Sequence, residues 1–286
     1  MKNLRALFAG LSAAAIWGGM YVVSKIVLEV IPPFALLTTR LLLGFVSLWL
    51  ILVWRKSAAP TRRQFWQAFG VGFIGYGVSL GLQFIGTKLS TAANGSLVTS
   101  ATPALILPFA ALLLGEKITR RRGLAIFVAS LGVLAVIDPR AANFSSALFT
   151  GNLALLGAAL TWALYSVLVR KVSPGMELVS ASAIFLLGGL PLTIPAGLWE
   201  IFSQGMGPVT PAIFGGILFL GIISTALAMF LWNYAFAHLP ASTASLTFFA
   251  QPLVGTLLGW LALGEKITPL FLLGGVLIGL GILLAD

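Results

Sequence analysis

The chain has 286 residues, 59% of them hydrophobic and 8% charged, with a mean hydropathy of +1.06. A water-soluble surface takes about a quarter of its residues as charged ones, so this composition excludes a soluble globule, a disordered chain and a coiled coil. The surplus of 17 Lys+Arg over 7 Asp+Glu would suggest nucleic acid in a soluble protein; in a membrane chain its meaning depends on where the charges lie.

Apolar runs divided by charges and Pro/Gly turns predict ten helices, over residues 5–24, 33–54, 64–86, 91–114, 121–138, 151–170, 178–199, 211–236, 241–262 and 268–285. A bilayer crossing takes about 20 residues, and continuous rather than alternating apolarity argues against a β-barrel. The first run resembles a signal peptide, since Lys2 and Arg5 precede apolar and small residues. It is longer than a typical h-region and it recurs later in the chain, so it is read as retained. The second run carries Arg40. The third carries Tyr76, Ser79 and Gln83, and the fourth Asn94, Ser96, Thr99, Ser100 and Pro103. Trp162 lies in the sixth, Ser224, Thr225, Asn233 and Tyr234 in the eighth, and Ser242, Ser245, Phe249, Gln251, Pro252 and Thr256 in the ninth.

With the N-terminus inside, the cytoplasmic segments hold twelve basic residues: Lys2, Arg5, Arg55, Lys56, Arg62, Arg63, Lys117, Arg120, Arg121, Arg122, Arg170 and Lys171. The outer loops hold four, Lys25, Lys88, Arg140 and Lys266, and Arg40 falls within a span. Basic residues mark the cytoplasmic face, so both termini are expected there, in a multi-pass inner-membrane protein. The bilayer is then the surface partner, and nucleic acid is not.

Leu114–Thr119 (LGEKIT) recurs as Leu263–Thr268, 149 residues on; Pro103, Ser96 and Leu97 match Pro252, Ser245 and Leu246 at the same offset. Leu11–Trp17 (LSAAAIW) is similar to Leu156–Trp162 (LGAALTW) at an offset of 145. The expected fold is therefore all-α, integral to the membrane, with two units of five helices at residues 1–139 and 150–286. Five is odd, so the second unit would enter the membrane from the opposite side. Such inverted repeats are the plan of many secondary transporters, with substrate bound between them near mid-membrane.

LGEKIT after each fourth helix, the segment Thr225–Leu246 (TALAMFLWNYAFAHLPASTASL) and the pattern around Arg40 (LLTTRLLLG) resemble EamA-type members of the drug/metabolite transporter superfamily. The likeness covers nearly the whole chain, with one unit in each half. Among such proteins the chain is most similar to bacterial amino-acid exporters of the YddG type. That resemblance implies export of amino acids, aromatic ones included, with export of drugs or other small metabolites such as nucleosides or sugars as the alternative.

The residues themselves suggest where a small solute would bind. Arg40 sits about 10 Å along its helix from the outer end by helical rise. It would attract a carboxylate if it faced a cavity; snorkelling to the interface or pairing with Glu29 is slightly favoured on sequence alone. Trp17 and Trp162 occupy matching positions at mid-depth, where an indole N–H needs a polar neighbour, and they are read as cavity walls. Tyr76, Ser79, Gln83, Asn94, Ser96, Thr99, Ser100, Tyr234, Ser245 and Gln251 complete the substrate-binding candidates, although a lone Ser or Thr more often bonds its own helix. Ser242, Ser245, Phe249, Pro252 and Thr256 have the spacing of one helix face, and Pro103 and Pro252 are hinge candidates.

None of the seven acids falls in the middle of an expected span, and His238 falls in a turn. Proton relays commonly use buried Asp, Glu or His, so a facilitative, uncharged pathway is expected. There is no Walker loop, no HExxH-type spacing, no Cys and a single His; neither an enzyme nor a metal or other cofactor is expected. The sequence leaves monomer and dimer open.

Overall fold

The computed structural model describes residues 2–89, 101–137, 148–263 and 269–285. Among them, helix runs through α1 (Lys2–Leu28), α2 (Pro33–Arg55), α3 (62–89), α4 (Thr102–Leu114), α5 (Arg120–Ile137), α6 (Phe149–Val172), α7 (Leu178–Gln204), α8 (Pro211–His238), α9 (241–263) and α10 (Pro269–Ala285). No strand occurs among the described residues. Five stretches are long and apolar enough to cross a membrane: Pro33–Arg55, Arg62–Gly86, Phe149–Val172, Leu178–Gln204 and Pro211–His238. Shorter apolar stretches lie at Leu4–Met20, Thr102–Leu114 and Leu272–Gly281. The first helix extends beyond its expected bounds at both ends. Residues 90–100, with Asn94, Ser96, Thr99 and Ser100, and the second GEKIT at 264–268 lie outside the described residues.

Local chemistry sets the helix ends. Thr61 and Gln64 form a reciprocal capping box that starts α3, satisfying backbone donors that no preceding turn reaches. Pro33 opens α2 at a position where the missing N–H costs nothing. The glycine of the first LGEKIT explains that motif: Gly115 takes a left-handed φ of 65°, and the Glu116 N–H closes back on the Ala110 carbonyl at 3.2 Å. This is a glycine C-cap, and it turns the Glu116 side chain away from its own helix.

Two helices contain wide, π-type turns at matching places. Phe73–Ser79 interrupts α3 and Phe219–Leu227 interrupts α8, with starts 146 residues apart. Such insertions are often found at functional sites; the first supplies Ser79 to the cavity described below, and the second bonds Trp17 and Arg40, which line it.

The helices pack in pairs whose directions follow from close glycine contacts. α5 runs antiparallel to α10, with Gly132 against Gly274 and Ile278 and Gly281 against Ala125 and Ala129. α2 and α7 are antiparallel, with Gly44 against Leu186 and Gly197 against Phe34 and Thr38. α3 runs against α6, where Gly75 meets Tyr165 and Gly86 meets Leu155. α1 runs against α8 but alongside α9, with Gly10 at Thr247 and Gly18 at Gln251. Large apolar side chains point outward, among them Trp54 and Trp66 at one end of the bundle and Trp199 and Phe202 at the other, as membrane-interface aromatics do.

Candidate functional site

A cavity of about 150 Å³ lies where α1, α2, α3, α4, α6, α8 and α9 meet. Its innermost wall is aromatic. Trp17 and Trp162 pack edge to face with centroids 5.9 Å apart, Trp232 lies 5.4 Å from Trp17, and Phe248 lies 6.3 Å from Trp17. Met20, Leu80, Phe84, Ala158, Ala159 and Met229 supply further apolar lining, and Ser24, Arg40, Ser79, Gln83, Thr102 and Gln251 bring polar groups.

Behind this wall the packing closes. Tyr165 stacks at 4.9 Å from Trp162, and its hydroxyl joins a buried chain of hydrogen bonds. The Tyr165 O–H donates to Asn233 Oδ1 at 2.6 Å, which leaves its oxygen to accept from Tyr76 at 2.6 Å; Asn233 Nδ2 donates to Ser182 Oγ at 3.1 Å. These links join α3, α6, α7 and α8 through groups that would be costly to leave unpaired in an apolar interior. The Trp232 indole N–H donates to Ser166 Oγ nearby.

Arg40 is 4% exposed and lines the cavity, which settles its location against snorkelling; Glu29, the expected alternative partner, is exposed. Its Nε donates to Thr225 Oγ1 at 3.2 Å, and Nη2 lies within bonding distance of Ser224 Oγ at 3.4 Å and Met20 Sδ at 3.1 Å. Thr225 itself donates to the Leu220 carbonyl five residues back, a bond that the π-type turn makes possible. The same turn presents the Ser224 carbonyl to the Trp17 indole N–H at 3.0 Å. The Trp162 indole, 8% exposed, has no hydrogen-bond partner among the described residues. A widened turn in α8 thus fixes both Arg40 and Trp17. The turn in α3 places Ser79, which donates to the Ala158 carbonyl at 2.8 Å.

Of the residues expected from sequence, Trp17, Arg40, Ser79, Gln83, Trp162 and Gln251 come together in the cavity lining. Tyr76 is fully buried behind Trp162, at 6.0 Å between centroids. Tyr234 stacks on His238 at 4.2 Å, near the end of α8, and Ser245 is buried with its hydroxyl on the Ser242 carbonyl. These three are not among the lining residues. The helix-face spacing through Ser242, Ser245 and Phe249 is broken by a 3₁₀ turn at Thr247–Phe249. That tighter turn shifts the register, so Phe248 faces the cavity and Phe249 packs with Ala125, Ala129 and Ile278. Pro103 sits at the start of the described part of α4, and Pro252 follows the 3₁₀ turn in α9. Ala158 and Ala159, not expected from sequence, had a signal in the small residues that the repeat pairs with Ala13 and Ala14; Met20, Met229 and Phe84 had none.

At the end of the bundle where α1 begins, Glu116 accepts from the Ala241 N–H at 2.8 Å and from Ser242 Oγ at 3.2 Å. It also pairs with Arg170 Nε at 3.4 Å, and Arg170 donates to the carbonyl of Leu239. At the opposite end Glu200 accepts from the N–H groups of Phe34 and Ala35. Both carboxylates thus cap a helix that begins behind a proline, whose own side chain cannot cap.

Comparison with known proteins agrees with this architecture. The protein named uncharacterized transporter YoaV of Bacillus subtilis is 24% identical over 98% of this chain and 96% of its own length. The uncharacterized transporter YyaM of the same organism is 26% identical over 100% and 95%. A solved crystal structure superimposes with a TM-score of 0.85 over 98% of this chain and 96% of that one, at 22% identity, which shows the fold. The model of the EamA-like transporter family matches residues 4–137 and again residues 149–285. The chain belongs to the EamA-like transporter family and is a multi-pass membrane protein.

Proposed function

We propose that the chain is a ten-span secondary transporter, built from inverted units at residues 1–139 and 150–286, that exports amino acids, aromatic ones included, across the inner membrane. The observation that carries this reading is the cavity itself: it lies between the two halves, contains Trp17 and Trp162 from matching positions, and has Arg40 as its cation. A guanidinium suits a substrate carboxylate, and the aromatic wall suits an apolar side chain.

The inverted plan is supported by the family model matching twice and by helix directions: α2 and its counterpart α7 are antiparallel, as are α5 and α10. Alternating access about a midplane site is what that plan performs in other transporters. Twelve basic residues on the side of the N-terminus against four opposite support cytoplasmic termini. A facilitative mode is supported by a lining that has no Asp, Glu or His among the described residues. The volume favours a small metabolite over a drug, since sites for drug-sized ligands run to about 300–1,000 Å³.

Purified protein in liposomes, assayed with a broad panel of amino acids, should give saturable flux that an imposed pH gradient leaves unchanged. Absence of flux for every amino acid, with flux of a nucleoside or sugar instead, would transfer the cavity to the alternative substrates. Steep dependence on the pH gradient would remove the facilitative part.

A further inference from the structure

We infer that Glu116 and Arg170 form a latch that holds the pathway shut at the end where α1 begins, and that transport requires the latch to break. The inference rests on the transporter reading for its meaning, and on six contacts for its geometry.

Four helix ends converge there. Glu116 follows the last turn of α4, Arg170 lies in the last turn of α6, Phe236 and Leu239 are at the end of α8, and Ala241 and Ser242 begin α9. The carboxylate binds the first N–H groups of α9, where backbone donors are unsatisfied and the helix dipole favours negative charge. The guanidinium binds the last carbonyls of α8, where the dipole favours positive charge. One ion pair therefore ties α4 and α6 to both sides of the α8–α9 turn. A pair that served only to cap α9 would not need Arg170 to reach across to α8.

The position fits a gate. Along α6 and α8, the buried Tyr165, Trp232 and Phe236 lie between the cavity-lining Trp162 and Met229 and the latch. The pair is also breakable. Its side chains are 31% and 13% exposed, and ion pairs within reach of water contribute little compared with buried ones. The held segment, 241–246, has a soft joint behind it, because the 3₁₀ turn at Thr247–Phe249 and Pro252 interrupts regular α-helical bonding. At that joint, α9 supplies Phe248 and Gln251 to the cavity. Release of the latch thus frees the first turns of a helix whose middle touches the site.

The chain has no cysteine, so a pair of spin labels at the exposed positions Lys117 and His238 reports the separation of α4 from the α8–α9 turn. With Glu116 and Arg170 intact, the closed distance should dominate. Glu116→Gln and Arg170→Gln should each raise the longer-distance population by about fivefold. An unchanged distribution in both variants would overturn the latch and leave Glu116 as a helix cap only. Ser242→Ala, which removes one hydrogen bond and no charge, should give a smaller shift in the same direction and serves if either charge variant fails to fold. In a second arm, a reducible cross-link between cysteines at 117 and 238 should stop flux, and reduction should restore it. Full flux through the cross-linked protein would also overturn the proposal. The distance measurement needs no substrate, so a failure of the amino-acid reading would leave its outcome intact.

Discussion

The two halves share a scaffold and differ in the side chains that it presents. Residue 40 in α2 is an arginine held on the π-type turn of α8; 145 residues on, α7 has Phe185, packed edge to face on Tyr165 at 5.9 Å. Trp17 donates its indole N–H to the Ser224 carbonyl, whereas its counterpart Trp162 has no hydrogen-bond partner among the described residues. The turn in α8 carries Ser224 and Thr225 where the turn in α3 carries Val78 and Ser79. Such a difference teaches that symmetry belongs to the frame and polarity to the site. On the function proposed above, a solute bound between the halves would meet the Arg40 guanidinium on one side and the aromatic wall on another.

The largest test of that polarity is to remove the cation. Arg40→Leu should lower flux about a hundredfold while the protein still folds, because Thr225 keeps its own bond to the Leu220 carbonyl. Phe185→Leu, at the matching position, should leave flux within about threefold and lower stability by about 1 kcal/mol, the usual cost of an imperfect core replacement. Equal loss of flux in both would mean that Arg40 acts through packing.

Next come the glycines that let the frame close. Gly75 and Gly221 hold the same place in the two π-type turns, 146 residues apart. A Cβ on Gly75 would overlap the ring of Tyr165, which is fully buried and hydrogen-bonded; a Cβ on Gly221 would come within 2.6 Å of the Leu43 Cβ, which the backbone fixes, and 2.7 Å of a Leu43 methyl, which can turn away. Gly75→Ala should therefore cost about 3 kcal/mol and Gly221→Ala about 2 kcal/mol, since the whole ring of Tyr165 is held in place whereas part of Leu43 can withdraw. Melting temperatures in detergent would rank the two. The reverse order would mean that the α3 side of the bundle is the looser one.

Helix positions were legible in the sequence, because continuous apolar runs between charges leave a helix as the chain's only way to satisfy its backbone in lipid. The two tryptophans were legible for the same kind of reason: equal spacing from matching helix starts puts them at equal depth. Arg40 was singled out by its charge, but the sequence slightly favoured snorkelling or pairing with Glu29, and its partners in α8 were not legible, since a register shift of one residue there is invisible to periodicity. The 3₁₀ turn is why Phe248 enters the lining and Phe249 does not, and the widened turn in α8 comes just before Met229; Met20, on the uninterrupted α1, had no sequence signal. The Tyr76–Tyr165–Asn233–Ser182 chain joins four helices far apart in sequence, a contact that composition cannot announce.

That chain gives the next effect in size. Tyr165→Phe strands the Asn233 carbonyl oxygen and takes the acceptor from Tyr76, and unpaired buried groups cost about 1–3 kcal/mol. Tyr234→Phe, near the solvent-side turn with His238, should change stability by less than about 0.5 kcal/mol. Comparable losses for the two tyrosines would make the buried chain an ordinary packing contact.

The smallest effect separates the two tryptophans, and it bears most directly on orientation. Phenylalanine keeps an aromatic ring and removes only the indole's second ring and its donor. Trp17→Phe also leaves the Ser224 carbonyl without its partner, so stability should fall by about 1 kcal/mol beyond the cost of the smaller ring. Trp162→Phe breaks no hydrogen bond and should pay only the cost of the smaller ring. On flux the order should reverse. If the Trp162 N–H, buried in this structure, turns to meet the substrate, its loss should raise the half-saturating concentration about fivefold with little change in maximal rate, the signature of binding energy lost equally from ground and transition states. Trp17, whose donor is already engaged by the protein, should show a smaller change in that constant. A stability loss confined to Trp17 together with an affinity loss confined to Trp162 would mean that one half of the repeat uses its indole for the frame and the other for the solute. Equal changes in both would restore the symmetry that the side chains otherwise break.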